Sequence, residues 1–152
     1  MNSKYRKGVF VIAYATEKEK LLYLLLKRKL HWKGWEFPKG GMEKREAAIS
    51  AAKRELKEET GKKPIAIRKF NIRGKYKYEK EYNNREGLSG QTYEVLFAAK
   101  VEKGGKIRID KEEHSSYAWL EFKEAMKNLT WPNQRKCLRI VNEWLSHKGK
   151  TK

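Results

Sequence analysis

The sequence predicts one mixed α/β (α+β) domain, a mixed β-sheet packed between helices, and three observations support this. Strand-like and helix-like patterns alternate in the order strands, helix, strands, helix, which suits a sheet covered by helices. Apolar residues (39%) and aromatic residues (12%) are spread along the chain, so folding throughout is expected rather than a long disordered arm. At 152 residues the chain can bury a core without disulfide or metal staples. A single domain is expected over residues 1–147, with the basic residues 148–152 left disordered because they carry no apolar anchor.

The first element is a strand over residues 8–15, built on Val9, Phe10, Val11, Ile12, Ala13 and Tyr14. After a charged break at 16–20, a second strand over 21–26 completes a hairpin. Residues 29–42 hold three glycines, a proline and two tryptophans, and read as an ordered loop entering a helix. That helix is expected over 45–60, where Ala47, Ala48, Ala51, Ala52 and Leu56 recur at helical spacing before the stop signal Gly61. Strands follow near 65–72, 75–82, 92–101 and 115–120, which puts most of the sheet after the helix. A short helix over 122–128 comes next. Pro132 then opens a last helix with Leu138, Val141 and Leu145 on one face.

Composition bounds the function. Lys and Arg number 37 against 19 Asp and Glu, and the net charge of +18 invites phosphate-rich partners without identifying one. Cys137 is the sole cysteine, which excludes an intrachain disulfide and a multi-cysteine zinc site and fits a reducing cytoplasm. The longest strongly apolar run, 21–26, is far short of the roughly 20 residues that a membrane-spanning helix needs. No secretory cleavage pattern follows the basic residues 1–7, so a cytoplasmic location and no membrane partner are expected.

Glu55, Glu58 and Glu59 fall within one helical turn, where residues three and four apart share a side. Their mutual repulsion calls for a positive compensator. A hard divalent cation is one: Mg²⁺, with Mn²⁺ as a substitute, binds through a few carboxylates and accepts phosphate oxygens as further ligands. The plainer alternative is a solvated acidic face neighboured by Arg54, Lys57 and Lys62.

The surroundings of the cluster favour the metal. Gly40, Glu46 after five residues, Arg54, Glu55 and Leu56 after seven more, then Glu58, Glu59 and Gly61 match a family signature at every spacing, and the chain resembles a Nudix hydrolase. One departure is Lys62, where the signature carries an aliphatic residue; Ile65 is a candidate for the missing apolar contact.

The resemblance implies an alpha-beta-alpha sandwich and divalent-metal-dependent attack of water on a nucleoside diphosphate linked to another group. It implies Glu55 and Glu59 as metal ligands, Glu58 as a further ligand or the base, and the Gly40 carbonyl as a ligand. Glu55 stays the alternative base. Arg54 joins the catalytic set by orienting loop and helix together with Glu46.

Trp35, Glu36, Phe37, Pro38, Lys39, Gly40 and Gly41 resemble the loop of asymmetrical diadenosine tetraphosphate hydrolases and of RNA 5′-pyrophosphohydrolases, which makes Lys39 a phosphate contact. Glu112, Glu113 and His114, followed by Tyr117, Ala118, Trp119 and Leu120, resemble the tetraphosphate enzymes again, and that likeness makes Glu113 a metal ligand, with Glu112 as the alternative. Tyr76, Tyr78 and Tyr82 are candidates to stack on a base, Tyr82 preferred because the other two alternate as strand residues. Lys27 and Arg28, at the end of the second strand, could meet a phosphate chain. His31, Trp32 and Trp35 could assist or simply anchor the loop.

Three functions follow as expectations. The first is hydrolysis of diadenosine tetraphosphate to ATP and AMP, the second is removal of pyrophosphate from triphosphorylated RNA, and both take a nucleotide substrate. The third is a non-catalytic nucleic-acid-binding module, supported by charge alone.

Overall fold

The computed structural model describes residues 5–30, 33–77 and 90–150. Among the described residues, eight strands and three helices follow one another. They are β1 (Tyr5–Glu17), β2 (Lys20–Arg28), β3 (Gly34–Glu36), β4 (Lys39–Gly41), α1 (Ala48–Thr60), β5 (Ala66–Phe70), β6 (Gly74–Lys77), β7 (Gly90–Lys100), β8 (His114–Leu120), α2 (Phe122–Asn128) and α3 (Pro132–Lys150). The main path of the sheet is β3-β2-β1-β7-β5, with β4 on β1, β6 on β7 and β8 on β2. β1 runs parallel to β7 and antiparallel to β2 and β4, so the sheet is mixed as expected.

Strand alternation builds two cores, one on each face. Phe10, Ile12, Tyr14, Tyr23 and Leu25 point to the side where Ala125, Leu129, Cys137, Leu138 and Val141 of the α2–α3 region pack. Val9, Val11, Ala13, Leu24 and Leu26 point to the other, against Ala51, Ala52 and Leu56 of α1. Both sides of β1 are therefore apolar, which explains its unbroken hydrophobic run. Small residues on α1 let the helix lie close to the sheet and bring its acidic turn near the strand ends.

Several expectations need correction. Residues 29–42 are not all loop, because β3 and β4 lie inside them and each borrows a ladder from a longer strand. Four strands precede α1, so the sheet is not mostly C-terminal to it. The helix starts at Ala48 because Arg45 sits in the left-handed region (φ 66°), which a helix cannot include. Gly61 does end it: with φ 77° its N–H returns to the Lys57 carbonyl. Ile65 is exposed, so it does not fill the gap left by Lys62. Lys62 instead donates its ammonium to the Gly104 carbonyl. The last helix continues through Lys150, past the expected end at 147, and the Lys148 ammonium lies 5.2 Å from the Trp144 ring centre. No helix among the described residues is long and apolar enough to cross a membrane.

Candidate active site

Arg54 organises the acidic turn. Its Nε and Nη2 donate to the two carboxylate oxygens of Glu46 at 2.9 and 2.8 Å, and Nη2 also reaches the Gly41 carbonyl at 2.9 Å. Nη1 donates to Glu55 at 2.8 Å and to Glu58 at 3.3 Å. Glu46 further accepts the Glu43 N–H at 2.9 Å, which closes the turn before the helix. The Arg54 hydrogen bond, with that backbone donor and the guanidinium charge, holds the Glu46 carboxyl down to about 2 against a small burial effect. Loop and helix are thus joined through one guanidinium.

Glu55 and Glu59 are both buried, whereas Glu58 stands largely in solvent. A Cβ at Gly40 would overlap the Glu55 carboxyl, so the loop backbone lies directly against that side chain. Glu59 accepts the Lys39 N–H at 3.2 Å, which ties β4 to the helix. Burial, and then the charges of Glu36, Glu55 and Glu113, push the Glu59 carboxyl well above its usual range, with Lys39 opposing. The carboxylates of Glu36, Glu55, Glu59 and Glu113 therefore share one region.

Glu36 carries no individual role in the expectations drawn from sequence. It is fully buried, with Arg28 Nη1 3.2 Å from Oε2, Lys39 Nζ 3.5 Å from Oε1, and His114 Nε2 donating to Oε2 at 2.8 Å. Burial acts upward on its carboxyl, yet Lys39, the His114 hydrogen bond and Arg28 outweigh it and hold the group at about 2. A strand-like alternation across Trp35, Glu36 and Phe37 is the signal that could have found it. Trp35 and Phe37 face the α2–α3 core, so the residue between them must face α1.

The opposite face of this segment is clamped. The Trp35 N–H donates to the Thr130 hydroxyl at 3.1 Å, the Thr130 N–H returns to the Trp35 carbonyl at 3.2 Å, and the Phe37 N–H donates to buried Gln134 at 2.9 Å.

Other expected contacts fare differently. Arg28 is buried and committed to Glu36, to the Leu30 carbonyl at 3.0 Å and to Glu113 at 3.7 Å, so it shapes the site rather than reaching for a phosphate chain. Lys27 projects to the other face, its ammonium 5.9 Å from the Trp35 ring centre, and does not join the cluster. Lys39 does join it. Exposed Glu112 places its N–H on Asp110 at 2.9 Å, which leaves Glu113 as the residue facing Arg28. Tyr76 stands on β6 opposite Gln91. Tyr78, Tyr82, His31 and Trp32 lie outside the described residues.

A hard cation fits the donor chemistry. Glu55, Glu58, Glu59, Glu113 and the Gly40 carbonyl offer only oxygen ligands, and burial together with the neighbouring carboxylates raises Glu59. Among the described residues no three acidic, histidine or cysteine side chains form a ready-made cage. Mg²⁺ does not require one, because it retains waters and recruits substrate phosphate.

Known proteins resemble this chain in sequence and in fold. Over 151 residues the chain is 28% identical to an RNA pyrophosphohydrolase of a Nitratiruptor species, with 96% of each chain covered. It is 26% identical over 156 residues to mRNA-decapping enzyme subunit 2 of Saccharomyces cerevisiae; that match takes in 99% of this chain and spans 15% of the yeast protein. A C. elegans Ap4A hydrolase solved as a binary complex shares the fold, with a TM-score of 0.74, 22% identity, and coverage of 93% of this chain and 98% of that one. The NUDIX domain model matches residues 4–140 and so takes in the sheet, the acidic helix and the clamped loop alike: the chain belongs to the NUDIX family.

Proposed function

We propose that this protein is a Nudix pyrophosphohydrolase that removes pyrophosphate from the 5′ end of triphosphorylated RNA with a divalent cation, Mg²⁺ or Mn²⁺. The observation that carries the reaction type is the pair of buried carboxylates on one turn of α1, Glu55 and Glu59, with Lys39 beside them. The substrate class rests on the relative from Nitratiruptor, matched over nearly its whole length, and on the +18 charge, which suits a polyanion.

When bound, the cation polarises a phosphoanhydride oxygen and makes a bound water easier to deprotonate. Glu55, Glu59 and Glu113 would hold it, with the Gly40 backbone lying against Glu55. Glu58, solvent-exposed and three residues from Glu55, takes the proton of the attacking water. Water oxygen joins phosphorus, the bridging P–O bond breaks, and pyrophosphate departs. Lys39 offsets charge on the phosphate chain. Arg54 and Glu46 keep the carboxylates in register with the loop.

Diadenosine tetraphosphate, cleaved to ATP and AMP, is the second reading. Glu113 beside the cluster, next to His114, favours it. A product-resolved panel with Mg²⁺ separates the two: a higher kcat/KM on 5′-triphosphate RNA supports the first, and a higher kcat/KM on the dinucleotide replaces it. Salt-sensitive RNA binding without turnover, unchanged in Glu58→Gln, would instead mark a non-catalytic binding module.

A further inference from the structure

The fully buried Glu36 joins three neighbouring strands and serves no step of the proposed reaction. Leu26 and Glu36 pair between β2 and β3, and Arg28 and His114 pair between β2 and β8, so Glu36, Arg28 and His114 meet across adjacent ladders. Arg28 Nη1 is shared, 3.2 Å from Glu36 Oε2 and 3.7 Å from Glu113 Oε2. Lys39 is shared as well: its ammonium lies 3.5 Å from Glu36 Oε1 while its own N–H binds Glu59. Two cations thus stand between Glu36 and the carboxylates of the candidate metal site. Glu36 Oε1 is buried without a hydrogen-bond partner, so its satisfaction comes through charge.

We propose that Glu36 is a positioning residue, an internal counter-ion that shares Arg28 with Glu113 and holds the Lys39 ammonium beside Glu59, and so loosens the grip of both cations on those two carboxylates and leaves them to a divalent cation. This rests on the metal-dependent reading above. A neutral residue at position 36 would leave Arg28 and Lys39 facing the carboxylates of Glu55, Glu59 and Glu113 without this counter-charge. The two cations would close on them and compete with the metal.

Mn²⁺ titration of the substrate-free protein tests this well below its unfolding temperature. Glu36→Gln should weaken Mn²⁺ binding by about 10–100-fold, the usual range for a residue acting behind a ligand. Raising Mn²⁺ should restore kcat, which a misfolded site would not allow. Arg28→Gln/Glu36→Gln also removes the competing guanidinium and should bind Mn²⁺ more tightly than Glu36→Gln alone, whereas a purely structural role makes the double variant worse. Unchanged affinity in Glu36→Gln, or no recovery in the double variant, overturns the proposal.

A Glu36→Gln protein that fails to fold while the double variant folds supports it, since the lone charge is then the fault. Failure of both to fold assigns Glu36 to the fold and overturns it. Should wild type hydrolyse no phosphoanhydride while Glu36→Gln still loses Mn²⁺ affinity, the reaction fails and the positioning role stands.

Discussion

Arg54 and Glu46 form a two-pronged ion pair at 2.8 and 2.9 Å that bridges the turn before α1 and the helix itself. A planar guanidinium can do this while its remaining nitrogen holds Glu55, and a lysine ammonium cannot. Arg54→Lys should therefore lower kcat by about 10–100-fold, as expected when a residue orienting ligands is lost. Steady-state kinetics check this, and wild-type kcat would remove Arg54 from the site.

The same pair makes stability depend on acid. Glu46, held at about 2 in the folded protein against an ordinary 4.5, contributes stability that is complete above its ordinary value and is lost as pH falls toward 2. Glu36 shifts the same way and adds to the loss. Thermal unfolding across this window should show a falling Tm, and Glu46→Gln should flatten part of the fall. A parallel pair of curves would contradict the assignment.

Gly40→Ala separates function from fold. The added methyl must displace the Glu55 carboxyl, which is the movable end of a side chain, so stability should change little. Activity should fall by about 10–100-fold because a displaced ligand no longer meets the cation. Unfolding curves and rates on the same preparation read both effects.

Glu59→Gln should act with opposite signs in two conditions. Without metal it relieves a buried carboxylate crowded by Glu36, Glu55 and Glu113, so Tm should rise. With Mg²⁺, wild type should gain about 2.7 kcal/mol at a hundredfold excess over Kd, and the variant should gain much less. Equal gains in both proteins would place the cation elsewhere.

Much of this was legible in the sequence because periodicity and spacing are local. The apolar run of β1, the small stripe of α1 and the Gly61 stop each follow from residues close in the chain. The pairing of Arg54 with Glu46 was implied by the resemblance to a family signature instead, because Glu46 lies before the helix and eight residues away.

Glu36 escaped because its hydrogen-bond partners come from β2 and β8, 8 and 78 residues away, and only the sheet brings them together. Lys27 was misplaced for a related reason: adjacent strand residues point to opposite faces, so Arg28 and Lys27 cannot serve one site. β3 and β4 were missed since a three-residue alternation such as that around Glu36 is too short to stand out inside a glycine-rich segment, and both strands exist through the ladders of β2 and β1.

The clamp on the segment that carries Glu36 and Lys39 gives one more expectation. Gln134→Leu would strand the buried Phe37 N–H at a cost of about 1–3 kcal/mol and loosen the segment that carries Glu36 and Lys39. Tm should drop, and KM should rise with it. An unchanged KM would show that the loop keeps its shape without α3.

The most direct measurement is pyrophosphate release from 5′-triphosphate RNA by wild type and by Glu59→Gln, each with Mg²⁺ and with EDTA. Rapid release by wild type that EDTA abolishes and Glu59→Gln lacks is the expected result. Folded wild-type protein that cleaves no phosphoanhydride with Mg²⁺ or Mn²⁺, or a Glu59→Gln variant as fast as wild type, would contradict the assignment of this carboxylate cluster to catalysis.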